Sequence, residues 1–165
     1  MATYKSIAYD QYLSAGGSQL LLAETTASSS ATISFTSGID STYKEYLFTF
    51  KNIHPSSDND ASFGFNMSVD GGSNYNVVKT TTAFQAYHNE ADSATGLAYS
   101  TAADLAQGTG DQFLGEGANL SADNDHGLSG YLRLFDPSST TFVKHFTARS
   151  AEYHNEDYAV DSYTG

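Results

Sequence analysis

The sequence contains no cysteine and no tryptophan, and only 2 of its 165 residues are proline. Without cysteine neither a disulfide framework nor a thiolate metal site can form, so the fold must be stabilised by packing, by assembly or by both. Basic side chains are also scarce, because 7 lysines and arginines stand against 19 aspartates and glutamates, and the formal net charge is −12. Since such a surface repels phosphate backbones, the composition argues against nucleic acid as a direct partner.

Long apolar runs are missing as well. The longest run near the start, residues 20–23, is far too short to cross a bilayer. Residues 1–10 lack the apolar stretch of a secretion signal, and no glycine-rich loop for a phosphate-bearing cofactor is present. The sequence therefore predicts a soluble protein that is made without a cleaved export signal and that has no membrane partner and no cofactor.

The chain is rich in tyrosine (12), phenylalanine (10) and glycine (14), which is typical of a turn-rich β protein with enough large side chains for a core. Its central part alternates apolar residues with small or polar ones, as side chains of a half-buried strand do. The apolar positions of this alternation are Phe63, Phe65, Met67 and Val69. Together with the turn residues between the runs, the pattern predicts three antiparallel strands at 44–53, 62–70 and 75–82.

Shorter patterns extend this β reading along the chain. Further strands are predicted at 19–25, 31–35, 83–90, 113–120, 128–135 and 142–149. Residues 91–111 fit either a short helix or a loop. About eight short strands with no reliable helix between them predict an all-β fold, an antiparallel two-sheet jelly-roll-like sandwich over residues 31–165. Residues 1–30 are predicted to form an N-terminal arm and linker.

The end of the chain differs from the rest, because residues 153–165 are polar and show no strand pattern. A sandwich normally returns a last strand to the sheet that holds its first ones. The sequence therefore predicts that the domain lacks its last strands, or that a neighbouring subunit covers the open edge.

Two pairs of acids lie two residues apart in predicted turns: Asp58 with Asp60, and Asp123 with Asp125. Loops of this kind can bind Ca²⁺ through carboxylate and carbonyl oxygens. Neither pair continues into the glycine and distal glutamate of a helix-loop-helix calcium site. Acids also favour turns for structural reasons alone, and this second interpretation is preferred, so no metal site is assigned.

The tetrapeptide Tyr-His-Asn-Glu occurs twice, at residues 87–90 and 153–156. If the two copies lay on adjacent strands, two imidazoles and two carboxylates could converge on a metal or act as an acid–base pair. A repeated structural corner, or coincidence in a tyrosine-rich chain, explains the repeat without chemistry. No nucleophile motif such as Gly-x-Ser-x-Gly is present, and the sequence predicts a protein that is not an enzyme, with no catalytic residues.

Tyrosines form the remaining candidate site. Tyrosine rings can stack on sugars, and they are equally favoured anchors of protein interfaces. The absence of tryptophan favours the interface interpretation. The candidate glycan or interface residues are Tyr87, Tyr99, Tyr153 and Tyr158.

Several stretches resemble the β-rich virion proteins of marine tailed bacteriophages, including those that infect cyanobacteria. The resemblance covers about residues 30–150 and is carried by ISFT at 33–36, the predicted strand 44–53, FNMSVDGGSNY at 65–75 and FDPSSTTFVKH at 135–145. It implies a jelly-roll-like module of a capsid decoration, tail or fibre protein. Members of that group usually continue into a glycine-marked final pair of strands, which this sequence lacks. The resemblance supplies no catalytic residues.

The sequence thus predicts a structural component of a phage virion that acts through protein–protein assembly. Its partners would be other copies of itself and other virion proteins, and its location the virion after synthesis in the host cytoplasm. The predicted assembly contacts are Tyr4, Ile7, Tyr12, Leu13, Leu20, Leu21 and Leu22. The alternative is a carbohydrate-binding adhesin or receptor-binding module whose partner is a glycan of the host surface.

Overall fold

The computed structural model of this chain describes residues 19–58, 62–115, 120–154 and 157–165. These residues contain eight strands and no helix, so the predicted all-β class is confirmed. The strands are β1 (Glu45–Ile53), β2 (Gly64–Phe65), β3 (Ala83–Asn89), β4 (Thr95–Tyr99), β5 (Gln112–Phe113), β6 (Leu128–Phe135), β7 (His145–His154) and β8 (Tyr158–Thr164).

The chain divides into two compact units, Met1–Ile33 and Ser34–Gly165, and all eight strands belong to the second. The strands predicted at 19–25 and 31–35 are wrong, because neither segment is in a strand. Every residue of 19–35 is exposed. A segment that buries no face gains nothing from adopting the period-two conformation that its sequence would allow.

Six strands form one antiparallel sheet in the order β1-β6-β7-β8-β3-β4, and β2 pairs with β5 in a small second sheet. This arrangement is consistent with the sandwich-like fold predicted from the sequence. The predicted strands 44–53, 83–90 and 128–135 appear as β1, β3 and β6. The ambiguous segment 91–111 contains no helix: β4 occupies Thr95–Tyr99, and the remaining residues are turns and loop apart from the bridge residue Gly108.

One face of the large sheet, here called the covered face, carries the core. Leu132, Leu134, Phe146 and Ala148 pack against Leu114, and aromatic side chains of β1 and of residues 63–67 surround them. The rings of Phe50 and Phe63 meet at 4.8 Å between centroids, and those of Phe65 and Phe146 at 4.9 Å, both edge to face. Burial of these apolar groups is the main stabilising contribution to the fold.

The central three-stranded sheet predicted over 44–82 is wrong, because β1 pairs with β6 and segment 62–70 is a strand only at Gly64–Phe65. Phe63, Phe65 and Met67 do turn toward the core, as their alternation predicted. The backbone nevertheless leaves the ladder at Asn66, whose side-chain oxygen accepts from the N–H of Met67 at 2.9 Å. Asparagine side chains compete with strand pairing in this way. Residues 75–82 contribute only an isolated bridge between Lys79 and Gly108.

The prediction of a chain end without a strand is also wrong. Strand β8 lies between β7 and β3 and is hydrogen-bonded to both. It places Val160, Ser162 and Thr164 on the covered face, while Asp161 and Tyr163 face the other way. Because both faces of β8 carry polar groups, a search for alternating apolar residues does not detect this strand.

The covered face becomes polar where β7, β8 and β3 meet. Gln85, Ser150, Ser162 and Thr164 are all buried there. The Ser150 hydroxyl donates to the carbonyl of Leu114. Within the described residues, the side-chain oxygens of Gln85, Ser162 and Thr164 have no hydrogen-bond partner. This half of the sheet therefore depends on its backbone ladders more than on its side chains.

Candidate functional site: the open face of the sheet

The opposite face of the large sheet, here called the open face, carries a row of large side chains across five strands. Paired residues of antiparallel strands point to the same face, so the register fixes the row. It consists of Tyr131, Arg149, Tyr163, Phe84 and Tyr99, one each from β6, β7, β8, β3 and β4. We call these five residues the aromatic row.

The aromatic row is ordered by ring contacts. Phe84 and Tyr163 stack with a centroid separation of 5.0 Å and an interplanar angle of 6°. The guanidinium of Arg149 lies 5.3 Å from the centroid of the Tyr163 ring, a cation–π distance. Phe84 remains 45% exposed and Tyr99 54% exposed. The row therefore presents preformed aromatic surface to solvent.

An ion pair fixes the middle of the row. Arg149 donates from Nε to Asp161 Oδ1 at 2.9 Å and from a terminal nitrogen to Oδ2 at 2.5 Å, the bidentate geometry that guanidinium and carboxylate favour. The Tyr163 hydroxyl donates to the same Oδ2 at 3.1 Å. The hydrogen bonds between the two side chains lower the pKa of Asp161 and raise the pKa of Arg149. Both groups are consequently charged at neutral pH.

Beside the aromatic row, the open face has a shallow depression of about 350 Å³. Its lining includes Ala86, Ala151, Ala159 and Asp161, which lie on the three adjacent strands β3, β7 and β8. Alanines at these positions leave the backbone close to solvent. We call this depression the alanine trough.

The far side of the alanine trough is formed by the next cross-strand positions, Tyr153 and His88. His88 Nε2 is 3.1 Å from Asp92 Oδ1. The Tyr153 hydroxyl donates to Glu90, and this bond raises the pKa of Tyr153 to about 12. The trough thus has stacked aromatics on one side and hydrogen-bonded polar pairs on the other.

The four tyrosines singled out from the sequence do not form one cluster. Tyr99 and Tyr153 belong to the open face, on opposite sides of the alanine trough. Tyr87 and Tyr158 point to the covered face, where their rings meet at 5.8 Å. The sequence reasoning missed Phe84, Tyr131 and the pair Arg149–Asp161. Alternation in β7 and β8 would have indicated Arg149 and Asp161 if polar residues had been allowed on both faces of these strands, while Phe84 and Tyr131 alternate with the buried residues of β3 and β6.

The two Tyr-His-Asn-Glu copies do not lie on adjacent strands, so the alternative of a shared site is excluded and the interpretation without chemistry stands. Strand β8 separates β3 from β7, and His88 faces the open side while His154 is buried on the covered side. Asn155 and Glu156 lie outside the described residues. Among the residues that the structure describes, no group of three or more histidines and acids is arranged to hold a metal ion.

The acid pairs take part in local contacts. Asp58 accepts from the backbone N–H of Ala122 at 2.5 Å, and Asp60 lies outside the described residues. Asp123 and Asp125 approach opposite nitrogens of His126, at 4.0 Å and 3.7 Å. These contacts favour the structural interpretation of the acids.

Of the predicted assembly contacts, Leu20, Leu21 and Leu22 are exposed in the first unit of the chain. Tyr4, Ile7, Tyr12 and Leu13 lie outside the described residues.

The turn after residue 67 contains Asp70, the described carboxylate whose pKa departs furthest from its ordinary value. Asp70 accepts from the Ser68 hydroxyl at 2.6 Å and from the backbone and side-chain nitrogens of Asn74 at 2.9 and 2.6 Å. Hydrogen bonds to the charged form lower its pKa from 3.8 to about 2. A lowered pKa in the folded state stabilises the protein above pH 3.8, and this contribution is lost as the pH falls toward 2.

We therefore expect Asp70→Asn to unfold at a lower temperature than the unaltered protein near neutral pH, with the difference vanishing near pH 2. Thermal unfolding followed by circular dichroism at several pH values measures this. Asn74→Ala, which removes the side-chain donor and keeps the backbone N–H, should shift the pKa of Asp70 part of the way back toward 3.8 in a carboxyl NMR titration. If the unfolding temperatures of Asp70→Asn and of the unaltered protein differed by the same amount at every acidic pH, Asp70 would not have a lowered pKa in the folded state.

Comparison of the chain with models of protein families, with curated proteins and with solved structures gives no match. In the described ranges there is no helix of the length and apolarity needed to cross a membrane. The functional argument accordingly starts from the surfaces of the chain itself.

Proposed function

We propose that this protein is a structural subunit of a phage virion that works by binding other protein subunits, without catalysis. The observation that carries the assembly function is the exposure of consecutive large apolar residues. Leu21 is 76% exposed between two other exposed leucines, and Phe142 and Val143 are 71% and 77% exposed in the connection between β6 and β7. Single exposed apolar residues are normal, but adjacent ones form patches that mark interaction sites.

The edges of the large sheet support the same function. Among the described strands, β1 and β4 each have one neighbour and end the sheet. Exposed edges pair readily with other chains unless they are covered. The proposal that the protein belongs to a virion is supported by the sequence resemblance described above. The formal net charge of −12 suits a subunit kept away from packaged DNA.

Replacing Leu20, Leu21 and Leu22 together by serine, and Phe142 with Val143 by serine in a second protein, tests this proposal. Each change should weaken self-association about tenfold or more while leaving the thermal unfolding temperature nearly unchanged, because the side chains are exposed in the free subunit. Sedimentation velocity over a range of concentrations measures the assembly.

Val69→Ser is the matched control, since this valine is exposed between Ser68 and Asp70 rather than in an apolar run. It should leave the assembly unchanged. An unaltered protein that sediments as a monomer at every concentration, alone and with its neighbouring virion proteins, would contradict the proposed function.

A second candidate function, a carbohydrate-binding adhesin or receptor-binding module, is favoured by the exposed aromatic row. Aromatic side chains with fixed geometry bind at low cost in conformational entropy. A glycan array probed with the isolated protein separates the two candidates, because an assembly subunit shows no dependence on sugars.

A further inference from the structure

We propose that the alanine trough binds a neutral oligosaccharide chain, with the aromatic row as its apolar wall and the Arg149–Asp161 pair as its main polar contact. This inference rests on the second candidate function and specifies its site and its class of ligand. Of the four tyrosines that the sequence indicated, only Tyr99 and Tyr153 lie on the face that carries this site.

The shape of the surface favours a small extended ligand over a protein. The trough is a shallow, open depression of about 350 Å³, which suits a ligand that lies along the sheet. Its alanine positions on β3, β7 and β8 let a ligand approach the sheet closely. Alanine and aspartate, which line the trough, are depleted in protein interfaces relative to the rest of the surface.

The chemistry of the two sides suits a molecule with apolar C–H surfaces and many hydroxyls. Phe84 is held by its stacking on Tyr163, so its exposed part provides apolar surface that is already ordered. Arg149 and Asp161 remain 49% and 30% exposed in their side chains, so the pair offers both donors and acceptors to hydroxyl groups. Across the trough, Tyr153 with Glu90 and His88 with Asp92 supply the same combination.

The charge of the protein determines which oligosaccharides can bind in the trough. The formal net charge of −12 repels polyanions at long range, which argues against sulfated or uronate-rich glycans and against nucleic acid. Within the trough Arg149 and Asp161 balance each other, while Glu90 and Asp92 on the far side add negative charge. A neutral pyranose chain is therefore the occupant that the surface matches.

The test uses the full chain and defined hexasaccharides. Neutral probes are cellohexaose, laminarihexaose, mannohexaose and chitohexaose, and acidic probes are hexasaccharides of hyaluronan and heparin. Calorimetric titration should show binding of at least one neutral probe and none of the acidic ones. Phe84→Ala should weaken that binding about tenfold or more, because it removes an exposed, preordered aromatic surface.

Two further variants show whether the binding depends on this site. Ala86→Arg places a large side chain in the trough from an exposed position of β3, directly opposite Asp161, and should abolish binding. Val69→Ser, at an exposed residue outside the strands of the large sheet and outside the assembly patches, should leave binding unchanged. Circular dichroism of each variant establishes that it is folded.

The outcomes distinguish the failure of this site from the failure of the function. Sugar binding that persists in both Phe84→Ala and Ala86→Arg overturns the site while leaving a carbohydrate-binding module in place. Binding of the acidic probes alone overturns the class of ligand. If no probe binds and the array shows no glycan, both the site and the second candidate function are wrong, whereas the assembly function is decided separately by sedimentation.

Discussion

Gly130→Ala should lower the free energy of unfolding by about 3 kcal/mol, the upper part of the range for overpacked cores. Gly130 lies in β6 on the covered face, opposite Phe50 on one side and Ser150 on the other. A Cβ at this position would overlap the carbonyl oxygen of Arg149 and would lie 2.8 Å from Phe50 Cε2 and from Ser150 Cα. Two of these three contacts are with backbone atoms of β7, so a change of rotamer cannot relieve them.

Denaturant unfolding followed by circular dichroism measures this effect. Gly110→Ala is the control, because a Cβ there meets nothing within 4 Å and the backbone is outside the left-handed region. The control should unfold at or slightly above the midpoint of the unaltered protein, since alanine restricts the unfolded chain. Equal stability of the two variants would show that β6 and β7 are farther apart at this point than the structure has them.

Ser162→Pro should destabilise the protein by at least about 3 kcal/mol and leave little folded chain at physiological temperature. Ser162 lies in β8, paired with Ser150 of β7 and with Gln85 of β3. In a central strand each backbone N–H is bonded to one neighbour or the other, and proline removes that donor. Because β8 joins β7 to β3, disrupting it separates β3 and β4 from the rest of the sheet.

Ser162→Ala should leave the free energy of unfolding unchanged or raise it, in contrast to proline at the same position. The Ser162 hydroxyl is buried and has no hydrogen-bond partner among the described residues, so its removal relieves a desolvation cost. The pair of variants separates the role of the backbone from that of the side chain. A tolerated proline would place residues 158–165 at an edge or outside the sheet, which is what the polar composition of this segment had suggested.

The strands that could be predicted are those whose two faces meet different environments. In β1 and β6 apolar residues alternate with polar ones because one face packs on the core and the other meets solvent. Strand β8 could not be found in this way, since Ser162 and Thr164 are the residues that it buries. Residues 75–82 show the reverse error, because β-type composition without a neighbouring strand gives no ladder.

The sequence predicted the type of the candidate site, a surface with tyrosines, and not the set of residues that form it. Tyrosine-rich composition indicated a binding surface, and Tyr99 and Tyr153 do lie on the open face. The aromatic row joins residues 84, 99, 131, 149 and 163, which no local pattern connects. Their proximity follows from strand order and register, and both depend on pairings between distant segments.

The sequence by itself determined the all-β class, the absence of disulfides, the acidic surface and the position of the strands with one apolar face. These properties depend on composition and on the period of two, which neighbouring residues set locally. Only the tertiary structure decided that β8 enters the middle of the sheet and that Arg149, Asp161 and Phe84 share one surface. The physical reason is that strand pairing uses backbone groups common to all residues, so the partner of each strand is selected by the packing of the whole sheet.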